Sequence, residues 1–251
     1  MQISSMRMDL NADVGEGCGD DAALMPLITS ASIACGAHAG DAASMRYTAE
    51  AAVSKGVRIG AHVSYPDREG FGRRELSLPL VTITAEVLGQ LRVLDAVARA
   101  AHARVHYLKA HGALYNRMAD DADTADAVIA AIKTFDASMP FLTLPGSVAM
   151  ERARMHGLKV FGEAFADRAY TSGARLVPRS QADAVITDVA AVTRQAVELA
   201  TTGEVLSLDG SVISIHARSL CVHGDTPGAV TLVQAVHTAL EKAGVNVCAF
   251  T

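Results

Sequence analysis

Short β-type runs alternate along the chain with longer, Ala-rich amphipathic segments. The runs at 6–10, 32–35, 57–62, 105–111, 141–145, 159–165 and 220–223 predict strands. The segments at 41–55, 84–101, 124–135, 147–156, 182–201 and 227–243 predict helices. Asp41, Thr84 and Ser147 stand where N-caps belong, Pro227 suits a first helical turn, and Gly56, Gly157 and Gly244 suit C-caps. The stretch 204–218 breaks the rhythm and reads as a hairpin turning at Asp209-Gly210. Strands separated by helices in this way form βα units around a parallel sheet. Seven such units close as a barrel or stay open as a doubly wound sheet, and periodicity leaves both open. Either arrangement puts the active site at the C-terminal ends of the strands.

Composition narrows the partners. The chain has 251 residues, 50% hydrophobic and 20% charged, with no low-complexity linker, so a single domain over 1–251 is expected. A net charge of -5 argues against a nucleic-acid binder, and no Lys/Arg run suggests an anionic membrane surface. The first residues lack a signal-type apolar core, and no run approaches the roughly 18 apolar residues of a spanning helix. The four cysteines form no CxxC pair, which suits a reducing compartment. The expectation is a soluble, cytoplasmic protein.

Alternation along the strands sorts the polar residues by face. Arg58, Gly60 and His62 share one face, as do Tyr107, Lys109 and His111. Glu163 keeps parity with Asp167, and Cys221 with His223 and Asp225. Of nine histidines, four (His38, His62, His111 and His223) close predicted strands, so they are expected to converge on one mouth. There, imidazoles ligate metal or move protons.

The first loop, DLNADVGEGCGD, adds Asp9, Asn11, Asp13 and Glu16 among glycines. It reads either as a solvated acidic turn or as a carboxylate cluster at the mouth for base or metal work. Arg68, Arg73 and Arg74 follow His62 and offer forks for a carboxylate or phosphate, or else pair with nearby acids on the surface. No G-x-x-x-x-G-K-[ST] run exists, so any use of ATP does not rest on a P-loop. There is no G-x-S-x-G elbow, and Cys35 lies in an apolar run as a packed thiol. The chemistry expected is activation of water by carboxylate and histidine, with Lys109 stabilising an oxyanion.

Six stretches carry a family resemblance: DLNADVGEG, SIACGAHAGD, GAHVSYPDREGFGRRE, KAHGALYN, EAFADRAY with the following LVPR, and CVHGDTPGAV. Together they resemble the successive motifs of the LamB/YcsF family, whose members are also called A subunits of 5-oxoprolinase, over nearly the whole chain. The resemblance implies a seven-stranded β/α barrel of the glycoside hydrolase/deacetylase type. It implies ATP-dependent opening of 5-oxo-L-proline to L-glutamate in a complex with B and C subunits, the ATP site being shared or lying on a partner. Asp13, His38, His62, Lys109 and His111 are the candidate catalytic residues. Asp9, Asn11, Glu16, Arg73, Arg74, Glu163, Asp167, Arg168, His223 and Asp225 are candidate substrate contacts. Asp41 also falls on a motif position. Asp13, His38 and His62 are the candidate ligands of a divalent metal. Four positions depart from the family's pattern: Ser32 replaces Asn, Ala37 replaces Phe, and Val63 and Ala110 replace Pro. Two rival readings stand beside this one. One is a metal-dependent amidohydrolase or deacetylase acting without ATP. The other is a non-catalytic protein that binds substrate for its partners.

Overall fold

The computed structural model describes residues 6–226 and 228–251. Seven parallel strands form the centre: β1 (Arg7–Val14), β2 (Ser30–Ala34), β3 (Arg58–Val63), β4 (Tyr107–Ala110), β5 (Phe141–Thr143), β6 (Val160–Phe165) and, late in the chain, β9 (Ser219–Cys221). Each pairs with the next in that order, and β9 pairs back onto β1, which closes the barrel. The choice that periodicity left open is thus settled as a barrel. The helices are α1 (Asp21–Leu24), α2 (Ala42–Lys55), α3 (Leu80–Ala100), α4 (Gly112–Met118), α5 (Ala122–Asp136), α6 (Val148–Met155), α7 (Val189–Thr201) and α8 (Ala229–Lys242). The expected hairpin is β7 (Glu204–Leu206) against β8 (Val212–Ser214). A two-residue strand, β10 (Asn246–Val247), pairs with the start of β1.

Capping explains most helix ends. Asp41 caps α2 by accepting from the amides of Ala43 and Ser44, while the Ser44 hydroxyl accepts from the Asp41 amide. Gly56 closes that helix with φ 70°. Ser147 caps α6 through the Met150 amide. Thr84 is no cap: its hydroxyl bonds the Ala127 carbonyl in mid-helix, and α3 begins after Pro79. The helix expected from 182 begins only at Val189, capped by Asp188, because the preceding residues turn back over the barrel mouth. Pro227 lies outside the described residues, and α8 starts after Gly228.

The largest departure from expectation is β1. It does not stop at Leu10 but runs to Val14, carrying Asp9, Asn11 and Asp13 inside the barrel. Met8, Leu10, Ala12 and Val14 take the opposite face and pack under the helices. The barrel interior is therefore polar towards its mouth and aromatic at its base, where Tyr107, Phe161 and Phe250 meet. Tyr107 needs the space at Gly60: a Cβ there would lie 2.1 Å from the ring. We predict that Gly60→Ala lowers unfolding free energy by about 1–3 kcal/mol in urea titrations, and by less in a Tyr107→Leu background. Equal losses in both backgrounds would refute the clash.

Candidate active site

The inward faces of β1, β4 and β6 meet on one ammonium. Lys109 Nζ lies 2.7 Å from Asp13 Oδ1, 2.8 Å from Glu163 Oε1, and 3.3 Å from both Asn11 Oδ1 and Cys221 Sγ. Asn11 in turn donates to Glu163 and to Ser219. Burial alone would push the Lys109 ammonium down, but Asp13 and the other partners hold it well above its ordinary value. Burial would likewise raise Asp13, yet His62 and Lys109 keep its carboxyl well below the usual range. A charged pair thus sits at the floor of the mouth. Its outer carboxylate oxygen, Asp13 Oδ2, is 3.3 Å from His62 Nε2.

Three imidazoles border this floor. His38 and His111 stack with centroids 4.0 Å apart, and His62 stands nearly perpendicular to both. Glu16 faces all three, at 3.1 Å from His38 Nε2, 3.6 Å from His111 Nδ1 and 3.8 Å from His62 Nε2. Burial, with repulsion from Asp13, raises the Glu16 carboxyl to about 7. Burial lowers His38 to about 4 and, with the neighbouring imidazoles, holds His111 well below its ordinary value. On the other side His223 is held by Asp167, which accepts from both its backbone amide and its Nδ1. The His223 ring stacks on Phe165.

Above the floor lies a cavity of about 360 Å³. It is lined by Asp13, His62, Lys109, His111 and His223, by Tyr115 and Phe165, and by Arg73, Arg168 and Arg179 at the rim. Arg73 bonds Asp225 at 2.5 Å, and Arg179 approaches the same carboxylate at 3.8 Å. Arg168 has no carboxylate partner within ion-pair distance among the described residues, and donates to the carbonyls of Ala184 and Val177. Arg73 and Arg179 therefore share one carboxylate and Arg168 adds a third guanidinium, which favours an anionic ligand.

The mouth gathers most of the residues singled out from sequence. Asn11 and Glu163 lie beneath Lys109, and Asp9 lies deeper, accepting from Thr29, Ser30 and Ser219. Arg74 goes elsewhere: it is 58% exposed, pairs with Asp67 and Glu69, and stays off the cavity. Asp41 caps α2 away from the cavity. The expected metal trio of Asp13, His38 and His62 spans two groups of donor atoms, which adjoin where Asp13 Oδ2 lies 3.3 Å from His62 Nε2. His38 and His62 group with Glu16 and His111, while Asp13 groups with Cys221 and His223; in each group the donor atoms lie within 4.8 Å of one another. Either group is positioned to hold a divalent metal. Cys35 is the packed thiol expected, pushed up to about 12 by burial. The candidate residues named from sequence omit Tyr115, Asn116, Ser180 and Arg179, all in the lining, and Ser64, which supports His38. Tyr115 and Asn116 lie within KAHGALYN, Ser64 within GAHVSYPDREGFGRRE and Arg179 within LVPR, so the motifs held a signal for all but Ser180.

A family model described as the LamB/YcsF family matches residues 8–251. The chain belongs to the LamB/YcsF family. The 5-oxoprolinase A subunit of Streptomyces avermitilis is 52% identical over 97% of this chain and 99% of its own length. A solved lactam utilization protein from Thermus thermophilus superposes with a TM-score of 0.92 at 42% identity, covering 98% of this chain and 100% of that one. A family 4 carbohydrate esterase from Streptomyces lividans, at 10% identity and TM-score 0.51 over 98% of this chain and 93% of its own, shares the barrel fold alone. Among the described residues of this LamB/YcsF chain, no helix is long and apolar enough to cross a membrane.

Burial raises the Asp9 carboxyl from 3.8 to about 6, against the pull of its hydroxyl donors. Its folded value lies above its unfolded one, so the stabilising protonated form is fully present below pH 3.8 and lost as pH rises through about 6. We predict that Asp9→Asn flattens the pH dependence of stability between those limits by on the order of 2 kcal/mol relative to wild type. Denaturant titrations at both ends of the range measure it, and parallel profiles would contradict it.

Proposed function

We propose that this chain is the ring-opening subunit of a 5-oxoprolinase, converting 5-oxo-L-proline to L-glutamate in the cytoplasm with consumption of ATP. What carries this reading is the end-to-end match, at 52% identity, to the 5-oxoprolinase A subunit of Streptomyces avermitilis. The cavity agrees with it. A small ring fits a space of about 360 Å³, and a carboxylate fits a rim where Arg73 and Arg179 share Asp225. The sequence has no P-loop, so ATP is assigned to the partner B and C subunits, which would deliver an activated lactam to this mouth.

The roles follow from position. Lys109 Nζ, its hydrogens directed at Asp13, Glu163 and Asn11 or Cys221, places its positive charge beside the ring carbonyl oxygen as negative charge grows there. Asp13, whose Oδ2 lies 3.3 Å from His62 Nε2, takes a proton from the attacking water, and His62 positions that carboxylate. Water adds to the activated carbonyl carbon, the ring C–N bond breaks, and the proton goes to the departing nitrogen, which becomes the amine of glutamate; a second water then cleaves the remaining acyl phosphate to the side-chain carboxylate and inorganic phosphate. Phe165, Leu176 and Pro178 face the ring methylenes. The two groups of donor atoms favour a second reading, a metal-dependent amidohydrolase that needs no ATP.

Glutamate release from 5-oxoproline, with and without ATP, by the chain alone and with B- and C-type partners, separates the readings. We expect turnover only in the full mixture. ATP-independent turnover by the isolated chain would establish the amidohydrolase instead. Within the complex, Asp13→Asn and His62→Ala should each lower turnover about 10²-fold or more. Arg179→Ala should raise KM about tenfold with little change in kcat, as expected for loss of a contact made equally before and during reaction. Cys35→Ser should retain activity. Folded Asp13→Asn at near wild-type rate, beside an inactive Cys35→Ser, would replace this assignment with a thiol mechanism.

A further inference from the structure

The hydrogen bonds on the outer side of the imidazole cluster decide what faces inward. His38 Nδ1 lies 2.9 Å from Ser64 Oγ, and that hydroxyl already donates to the Tyr65 carbonyl, so His38 is the donor. His111 Nε2 lies 2.9 Å from the Phe71 carbonyl, which only accepts. In the neutral rings this leaves lone pairs on His38 Nε2 and His111 Nδ1. Both point at atoms that can carry a lone pair of their own. His38 Nε2 meets Glu16 Oε1 at 3.1 Å, and His111 Nδ1 meets His62 Nε2 at 2.9 Å. Oε1 lies 3.6 Å from His111 Nδ1 and 3.8 Å from His62 Nε2. Four electron-pair donors thus surround one point. Bonds of about 2.0–2.1 Å to a tetrahedral ion place neighbouring ligand atoms about 3.3 Å apart, within the range these distances span.

The surroundings hold the His38 and His111 rings as a metal shell requires, while His62 Nδ1 is buried without a hydrogen-bond partner. Phe71 takes a left-handed backbone, φ 54°, which presents its carbonyl to His111. A Cβ at Gly72 would lie 2.8 Å from His38 Cβ and 2.9 Å from His111 Cδ2. Gln90 of α3 clamps Ser64 by bonding both its amide and its carbonyl. Ligating histidines are oriented by such outer contacts, to a hydroxyl or a carbonyl, through the nitrogen that does not bind metal.

We propose that Glu16, His38, His62 and His111 form a divalent metal centre of the zinc class at the edge of the cavity. The same point filled by protons alone requires Glu16 to donate to His38 and His62 to donate to His111, and the test separates the two cases. When bound, the ion supplies Lewis acidity beside Asp13 and Lys109. The proposal stands apart from the choice of substrate, because binding is read without turnover.

The full-length chain is stripped with chelator and titrated with zinc or cobalt. Metal per chain, the cobalt absorption spectrum and the melting temperature are then measured. We expect about one tightly held ion per chain, tetrahedral cobalt bands without a sulfur charge-transfer band, and a higher melting temperature on loading. His111→Ala and Glu16→Gln should weaken binding about 100-fold or more, and Ser64→Ala about tenfold. If His111→Ala fails to fold, the wild-type spectrum and Ser64→Ala decide the matter. A stripped chain that takes up neither ion overturns the proposal in favour of the protonated cluster. A sulfur charge-transfer band abolished by Cys221→Ser also overturns it, because it places the ion on Asp13, Cys221 and His223.

Discussion

The structure depends first on a lysine taken wholly inside a barrel. An ammonium removed from water needs charged partners in good geometry, and removing one of them costs about 3–5 kcal/mol. Lys109 finds Asp13 on β1 and Glu163 on β6, with Asn11 bracing Glu163 from below. Those contacts require β1, β4 and β6 to project inward at matching heights, so the ion network and the barrel register support each other. Burial pushes the Cys221 thiol well up despite the neighbouring ammonium, so it stays neutral and the two carboxylates supply the balancing charge. The floor of the mouth is consequently charged and fixed before any ligand arrives, the condition under which a donor stabilises developing charge at little reorganisation cost.

Above that floor the walls come from loops with fixed backbones. The segment from Ala166 to Asp188 carries little regular structure, yet its polar groups are used. Arg168 ties the carbonyls of Ala184 and Val177, and the Tyr170 hydroxyl accepts from the Phe165 amide. Gln195 of α7 donates to the carbonyls of Phe165, Ala166 and Arg168. This network holds Leu176, Pro178, Arg179 and Ser180 over the cavity. A helix continuing back to 182, as periodicity suggests, would remove those residues from the mouth.

The alternation of side chains made much of the site legible. His62, Tyr107, Lys109, His111, Glu163 and Asp167 fall on the faces that parity assigns them. The end of β1 was not legible, because Asn11 and Asp13 look like loop residues to any rule that equates strands with apolar runs. A barrel interior reverses that rule once hydroxyls and an ammonium are there to satisfy them. Arg74 and Arg73 illustrate the opposite limit. Adjacent residues with the same chemistry go to different sides, one to Asp67 and one over the mouth to Asp225, because the turn at Gly70–Gly72 sets their directions. Tyr115 and Ser64 lie within the quoted motifs, but their partners, Phe165 for Tyr115 and His38 and Gln90 for Ser64, are far away in sequence and no local pattern names them.

The four departures from the family's motifs fall unevenly on this architecture. Ser32 lies inside the barrel, bonded to the Tyr107 hydroxyl. Val63 is core, and its carbonyl accepts from the His111 amide. Ala37 sits in the loop beside His38, outside the cavity lining. Ala110 alone of the four lines the cavity, between Lys109 and His111. Proline there would add ring atoms to the wall and remove an amide hydrogen, whereas alanine leaves space beside Lys109 and His111. The polar floor is untouched by any of these changes. Of these four positions, only Ala110 therefore alters the wall of the cavity, while the Lys109–Asp13 ion pair beside it stays the same.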